Sequence, residues 1–441
     1  MKLMDVKKVL VDRKSIKEVS VKDDGKEVVI AGWLYDKREL GKLIFLVIRD
    51  ITGDIQITGF KGETDEKVFA SMKGINRESV VVVKGKVKKS PKASGGREIN
   101  PEFVQVLSKA EETLPIDTTD FSKTELPKRL DYRFLDFHRN RTRAIFKIQS
   151  VLARNFINYF AEKGFIFMQP PSVLGAASEG GADLFEVKYF DKKGVLAQSP
   201  QLYKQMIACS MEKVVMVSPA WRAEKHNTVR HINEMRQMDI EAAFYDMFGI
   251  MKLEEEVMQH LIKTLIDECS EELNLLGVKL KIPRAHYISY EDIIKLLNKN
   301  KIEISYGQDL SPEAEKKLGE LYPDDLVFVH SWPLSLRAFY LMPKNEDSKA
   351  ELSEGFDCIY KGLEITSGGQ RIHIPELLIA RLKAKKIKPE SMKDYIDSFR
   401  YGAPFHSGWS IGLERLTMLV CGLDNIREAT MFPRDRDRLT P

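Results

Sequence analysis

Residues 221–231 read WRAEKHNTVRH and crowd cations, an acid and an amide into one short stretch. The stretch falls between two β-rich runs, 214–218 and 235–243. A β-loop-β presenting Arg222, Arg230 and His231 is therefore expected, and guanidinium forks grip phosphate oxygens in pairs, so the loop suits a triphosphate. Taken alone, an exposed charged hairpin is the plainer explanation. A second stretch, GWSIGLERL at 408–416, has small residues opening an apolar helix with Arg415 one turn in. By itself a glycine-opened helix is an ordinary structural feature. No Gly-x-x-x-x-Gly-Lys-Ser/Thr loop occurs, so a nucleotide site here is not a P-loop.

These residues must be held by elements that the rest of the chain supplies. At 441 residues, two or three domains are expected. Hydrophobic content of 43% and charged content of 30% suit a globular protein with a sizeable core. No apolar run approaches the length of a membrane span and residues 1–20 lack a secretory h-region, so no membrane association and a cytoplasmic location are expected. Cys209, Cys269, Cys358 and Cys421 are scattered without zinc spacing and read as buried free thiols.

Residues 1–109 carry 23 Lys and Arg against 16 Asp and Glu, whereas the remainder carries 46 against 49. A basic domain on a near-neutral one suits a polyanion-binding appendage, with a solvated basic face as the plain alternative. Strand-like runs at 27–35, 43–50 and 54–60, a helix near 64–73, then runs at 79–88 and 98–107 give the order of a five-stranded OB barrel. Such barrels stack single-stranded bases on aromatics of their second and third strands, where Phe45 and Gln56 fall. A core role is the alternative for Phe45. The boundaries expected are 1–108 for the barrel, 109–130 for a Pro-containing linker or hinge, and 131–441 for the second domain. There, helices are expected at 142–163, 251–276 and 375–385. Strands and helices do not alternate strictly, which favours α+β with an antiparallel sheet flanked by helices.

GFIFMQPP (164–171), Arg222-x-Glu224 and Gly412-x-Glu414-Arg415 match, in order, the three motifs of class II aminoacyl-tRNA synthetases. With GGADLF (180–185), QSPQLYKQ (198–205), RAEKHNTVRH (222–231), GLEITSGGQR (362–371) and FPRDRDRLTP (432–441), the whole chain resembles archaeal-type aspartyl-tRNA synthetases. Departures are Trp221 for a usual Phe, Ser410 for a frequent Gly, and the wording of 232–238. The resemblance implies a homodimer, an anticodon-binding OB domain, the class II catalytic fold, and Mg²⁺ with ATP as substrate. It implies activation of L-aspartate to the adenylate and its transfer to tRNA(Asp). Arg222 is implied as the catalytic residue, bridging the amino acid's carboxylate and the α-phosphate. The aspartate site is implied at Glu179, Gln201, Lys204, Arg222, Ser367 and Arg371. The ATP site is implied at Arg222, Ala223, Glu224, Arg230, His231, Ile232, Glu364, Gly412, Leu413, Glu414 and Arg415, with Glu364 and Ser367 as metal ligands. The same resemblance sets Phe45 and Gln56 against the central anticodon base.

Two related readings remain: an asparaginyl-tRNA synthetase, which shares fold and motif order but in which Lys204 is not the typical residue, and an asparagine synthetase-like paralogue derived from the same catalytic fold, which typically lacks the barrel. A non-enzymatic binding module leaves Arg222, Glu364, Arg371 and Arg415 unexplained. Some members of the family charge tRNA(Asp) alone and others also aspartylate tRNA(Asn). Their discriminating pair, Trp and Lys or His and Pro, corresponds here to Tyr35 and Ser94, which fit neither pattern. The missing Lys favours relaxed scope.

Overall fold

The computed structural model describes residues 3–175, 184–225 and 227–441. They divide into two compact units, Met1–Lys123 and Thr124–Pro441. In the first, β1 (Glu27–Leu40), β2 (Leu43–Arg49), β3 (Asp54–Phe60), β4 (Val80–Lys89) and β5 (Arg97–Ser108) close a barrel in the order β1-β2-β3-β5-β4. Period-2 alternation builds it. Ile44, Leu46 and Ile48 on β2 and Ile55 and Ile57 on β3 are withdrawn from solvent. Phe45, Val47, Gln56 and Thr58, one residue out of phase, are only partly buried. The helix Glu66–Lys73 starts where the Asp65 side chain accepts the Lys67 and Val68 N–H groups.

The second unit opens with the helix Leu126–Asp131, which occupies the end of the stretch read as a linker and runs one residue past it. Its strands are β6 (Ile166–Phe167), β7 (Val173–Leu174), β8 (Glu186–Tyr189), β9 (Lys192–Leu196), β10 (Lys213–Trp221), β11 (Glu234–Ala243), β12 (Ala285–Ser289), β13 (Leu326–His330), β14 (Gly355–Tyr360), β15 (Leu363–Gln370) and β16 (His406–Gly412). Eight form one sheet in the order β12-β13-β14-β15-β16-β11-β10-β6, and β7, β9 and β8 form a small second sheet. The large sheet is antiparallel except where its outermost strands β12 and β6 pair parallel with their neighbours. The fold is thus α+β, a closed five-stranded barrel of the OB order followed by a mainly antiparallel eight-stranded sheet flanked by helices.

Helices Asn140–Glu162 and Met247–Glu268 cover one face of this sheet. Ile145, Ile148, Leu152, Phe156 and Phe160 recur at three- and four-residue steps and are all buried, a stripe that fits one helix face. The helix expected at 251–276 is two pieces, broken at Cys269. Of the four free cysteines, three are buried and Cys209 is partly so. Among the described residues no helix is long and apolar enough to cross a membrane.

Candidate active site

A cleft of about 400 Å³ gathers Gln201, Lys204, Arg222, Glu224, Arg230, His231, Ile232, Glu364, Ser367, Arg371, Gly412, Glu414 and Arg415. They arrive from the helix Gln201–Met211, the β10–β11 loop, β15, the residue just past it, and the junction of β16 with the helix Leu413–Val420. Glu179 lies outside the described residues. Ala223 lines a neighbouring cleft instead, and the Leu413 side chain packs in the core, so only their backbones can serve the first cleft.

One part of the cleft is backed by a buried four-charge cluster, of which Lys204, Asp239 and Arg371 line it. Lys204 Nζ lies 2.8 Å from Asp239 Oδ1 and 3.4 Å from Glu241 Oε2. Arg371 Nε donates to Glu241 Oε1 at 2.9 Å. All four side chains are at most 3% exposed. Burial lifts the Asp239 carboxyl above its ordinary range, against the pull of Lys204. Burial opposes ionisation of Glu241 as well, but Arg371 and Lys204 hold it below the ordinary value. Arg371, despite burial, is held above its usual value by Glu241. Lys204 also donates to the Trp409 carbonyl at 3.3 Å, so an incoming carboxylate competes with Asp239 for the ammonium. Gly408 makes room for this packing: a Cβ there would stand 2.1 Å from Glu241 Oε2. Beside the cluster, Gln201 donates to Gln205 Oε1 at 2.8 Å, which turns its own amide oxygen the other way.

Asp239 and Glu241 were absent from the reading of the sequence. Their signal is there: two acids two residues apart in the strand-like run 235–243, hence on one face of a strand.

The other part is built around β15. Residues three apart on a regular strand face opposite sides, yet Glu364 and Ser367 both line the cleft. The reason is a β-bulge: the pairing of β14 with β15 slips by one between Cys358 and Ile359. Partial withdrawal from water, then the charge of Asp357, raises the Glu364 carboxyl, and Arg415 at 3.9 Å opposes the shift. Asp357 stands opposite Ser367 and receives Arg337 Nη1 at 3.0 Å. Arg415 Nη1 donates to the Glu364 carbonyl at 2.9 Å. Glu414 accepts the Arg236 N–H at 2.9 Å, and burial pushes it up to about 7.

The loop carrying Arg222 is braced from the far end of the chain. Asn233 N–H donates to the Arg434 carbonyl at 2.7 Å, while its side chain donates to the carbonyls of Arg222 and Glu224. Arg427, paired with Asp435, donates to the Thr228 carbonyl at 3.0 Å, and Arg436 reaches the Lys225 carbonyl. The terminal run 432–441 thus has a physical reason to accompany the loop.

On the barrel, Phe45 lies opposite Thr58, and Val47 opposite Gln56, so Phe45 and Gln56 are diagonal neighbours. Phe45 is half-buried and outside the barrel core, which removes the core alternative for it. Gln56 donates to Glu98 Oε2 at 2.8 Å. The Arg49 guanidinium covers the Tyr35 ring 3.5 Å from its centroid and is pinned by Asp54 at 2.7 Å. Ser94 is exposed on a short turn.

Similarity to known proteins agrees with this geometry. Residues 125–436 match a family described as tRNA synthetases class II (D, K and N), and residues 28–107 match an OB-fold nucleic acid binding domain. The chain is 40% identical to an aspartate–tRNA(Asp/Asn) ligase of Methanothermobacter thermautotrophicus, covering 96% of this chain and 97% of the relative. It is 42% identical to an aspartate–tRNA(Asp) ligase of Thermoplasma acidophilum, covering 95% and 97%. Among solved structures, asparaginyl-tRNA synthetase from Pyrococcus horikoshii complexed with asparaginyl-adenylate superposes with a TM-score of 0.93 at 34% identity, over 98% of this chain and 100% of that one. The aspartyl-tRNA synthetase of Entamoeba histolytica gives 0.87 at 31% identity, over 97% and 93%. The chain belongs to the class II aminoacyl-tRNA synthetases, in the branch that serves aspartate, lysine and asparagine.

Proposed function

We propose that this chain is an aspartate–tRNA ligase that activates L-aspartate with ATP and esterifies it onto tRNA. The observation that carries the choice of amino acid is the pair Lys204 and Arg371, two buried cations at one cleft, each backed by an acid. Aspartate presents a side-chain carboxylate to them. Asparagine presents one carbonyl oxygen and an NH₂ that only donates, so beside these two donors it accepts fewer hydrogen bonds and neutralises neither cation. That asymmetry favours aspartate over the asparagine suggested by the Pyrococcus likeness.

Activation joins two anions, so the residues have to neutralise charge and fix the line of attack. Arg222 bridges the aspartate α-carboxylate and the α-phosphate of ATP, the α-carboxylate oxygen attacks, and pyrophosphate leaves. Arg415 and His231 hold the adenine between them, and Arg230 and Glu224 flank the triphosphate. Gln201 and Glu179 accept from the substrate ammonium. Glu364 and Ser367 would hold Mg²⁺, which when bound supplies a Lewis acid and template on the phosphates. The donor set fits: the Glu364 carboxylate and the Ser367 hydroxyl are hard oxygens that line one cleft. The adenylate then passes aspartate to the 3′ end of tRNA.

The outer face of β2 and β3 reads the anticodon, Phe45 by stacking and Gln56 by its amide. Scope extends to tRNA(Asn), because Ser94 places no cation where strict enzymes carry Lys. The enzyme works as a homodimer through the edge strand β6, whose Ile166 and Phe167 are 44% and 51% exposed.

The deciding experiment is pyrophosphate exchange with aspartate and with asparagine, followed by charging of tRNA(Asp) and tRNA(Asn) transcripts side by side. Aspartate-dependent exchange with both transcripts charged is expected. Exchange driven by asparagine alone would overturn the assignment, and failure on tRNA(Asn) would restrict the scope to tRNA(Asp).

A further inference from the structure

Between β12 and β13 the chain builds the helix Pro312–Leu321, begun by Pro312 at its first turn and by Ser311, whose side chain accepts the Ala314 N–H. This helix rests on the tight turn between β14 and β15 at backbone contact. A Cβ on Gly319 would lie 2.4 Å from Gly362 N, and one on Gly362, at φ +77°, 3.1 Å from Lys316 Cα. The approach brings Glu315 to β15, where its Oε2 accepts the backbone N–H of Glu364 at 3.1 Å. On the other side of that residue, the Glu364 carbonyl accepts from Arg415 Nη1 at 2.9 Å. The backbone of Glu364, at the bulge, is therefore gripped through both its polar groups by side chains from elsewhere in the fold.

We propose that Glu315 is a positioning residue for activation: it fixes the bulge so that the Glu364 carboxylate faces the cleft alongside Ser367. The inference rests on the reading of Glu364 as the anchor for Mg²⁺ on ATP. The ladder skips Ile365, so Glu364, paired with Ile359, stands at the rim of the bulge, and a half-buried N–H there without an acceptor is unfavourable. An acceptor supplied by a separate, backbone-packed helix makes one bulge geometry the favoured one. Without it the bulge is free to relax and swing the carboxylate away. Arg415 and Arg230 both act on the Glu315 carboxylate through their charge, so the same group balances two cations of the ATP site. Glu315 touches neither reacting partner and acts through Glu364, as groups behind metal ligands generally do.

The test compares the full-length protein with Glu315→Ala, Glu315→Gln and Glu315→Asp in aspartate-dependent pyrophosphate exchange, titrating Mg²⁺, ATP and aspartate separately. Glu315→Ala should raise the Mg²⁺ half-saturation and the KM for ATP by about tenfold or more, with the KM for aspartate changed less than about twofold. Gln keeps an oxygen within reach of the Glu364 N–H and should restore Mg²⁺ dependence to within about threefold of the parent. Asp keeps the charge but withdraws it by one methylene, and should resemble Ala; it serves as the variant of record if Ala does not fold. Wild-type Mg²⁺ dependence in Glu315→Asp, equal weakening of aspartate and ATP, or a Gln variant as impaired as Ala overturns the role. A wild-type protein without aspartate-dependent exchange overturns the functional reading itself, and this role with it; a wild-type that exchanges beside unaffected variants overturns the role alone.

Discussion

Lys204 Nζ sits 2.8 Å from Asp239 Oδ1, with both side chains 1% exposed. A cation buried against an acid inside a cleft is held ready for a second carboxylate at little reorganisation, because its desolvation has already been met on folding. The substrate carboxylate competes there chiefly with Asp239, the nearest partner of the ammonium.

Lys204→Leu should therefore act on two observables. Aspartate affinity falls far more than ATP affinity, because only aspartate presents its side chain there. Stability falls by about 3–5 kcal/mol, because Asp239 and Glu241 are left with one buried cation between them. Equilibrium titration of each substrate, alongside thermal unfolding, checks both. Equal weakening of aspartate and ATP in a folded variant would show that Lys204 holds structure rather than substrate.

Arg222→Ala should reduce aspartate-dependent pyrophosphate exchange by roughly 10²–10³ without unfolding the chain. The fold uses the backbone of Arg222, bonded to Asn233 in both directions, and that remains in the variant. Near-normal exchange by a folded variant removes Arg222 from the chemistry.

Glu364→Ala should remove the steep Mg²⁺ dependence of exchange, since a carboxylate oxygen is the hard donor the metal takes. A Mg²⁺ titration that superposes on the wild type excludes Glu364 as a ligand.

Phe45→Ala and Gln56→Ala should leave pyrophosphate exchange intact and weaken charging by about one to two decades, the loss of a base stack or its partner contact being worth roughly 1–3 kcal/mol. Aminoacylation of wild-type and anticodon-mutant tRNA(Asp) reads this directly. If Phe45→Ala discriminates against a changed central base as well as the parent does, the outer face of β2 does not read it.

Glu254, fully buried on the helix Met247–Glu268 beside Thr366 and Cys358, has its carboxyl pushed up to about 8 by burial. The sign follows from proton uptake: above about pH 4.5 the unfolded chain loses this proton while the folded one keeps it until about pH 8. Its contribution to stability is greatest below pH 4.5 and declines across that window by an amount on the order of a few kcal/mol. Glu254→Gln removes the decline, so the variant should gain on the wild type as pH rises from 5 to 8 in denaturant titrations. A constant difference across that range would mean the carboxyl is ionised in the native state.

The period-2 pattern at 43–60 was enough to place Phe45 and Gln56 on one barrel face, because a strand assigns alternate residues to opposite sides whatever surrounds it. The spaced apolar residues of 145–160 were enough for the long helix behind the catalytic sheet, and the ordered motifs for the family. Residue types at matched positions named the cations of the cleft. Tertiary structure alone decided what those cations face. Asp239 and Glu241 reach Lys204 and Arg371 across chain separations of 35 to 130 residues, through packing of a helix and a strand end against β11 that no local pattern encodes. The bulge that turns Glu364 to the side of Ser367 comes from a one-residue slip between β14 and β15, and the partner of its N–H sits 49 residues away on a helix. The brace of the Arg222 loop by the terminal run 432–441 is likewise a contact between chain segments about two hundred residues apart. Periodicity reports which side of its own element a residue occupies; which charge meets which across elements is set by packing, where a few ångströms decide whether a buried group is paired.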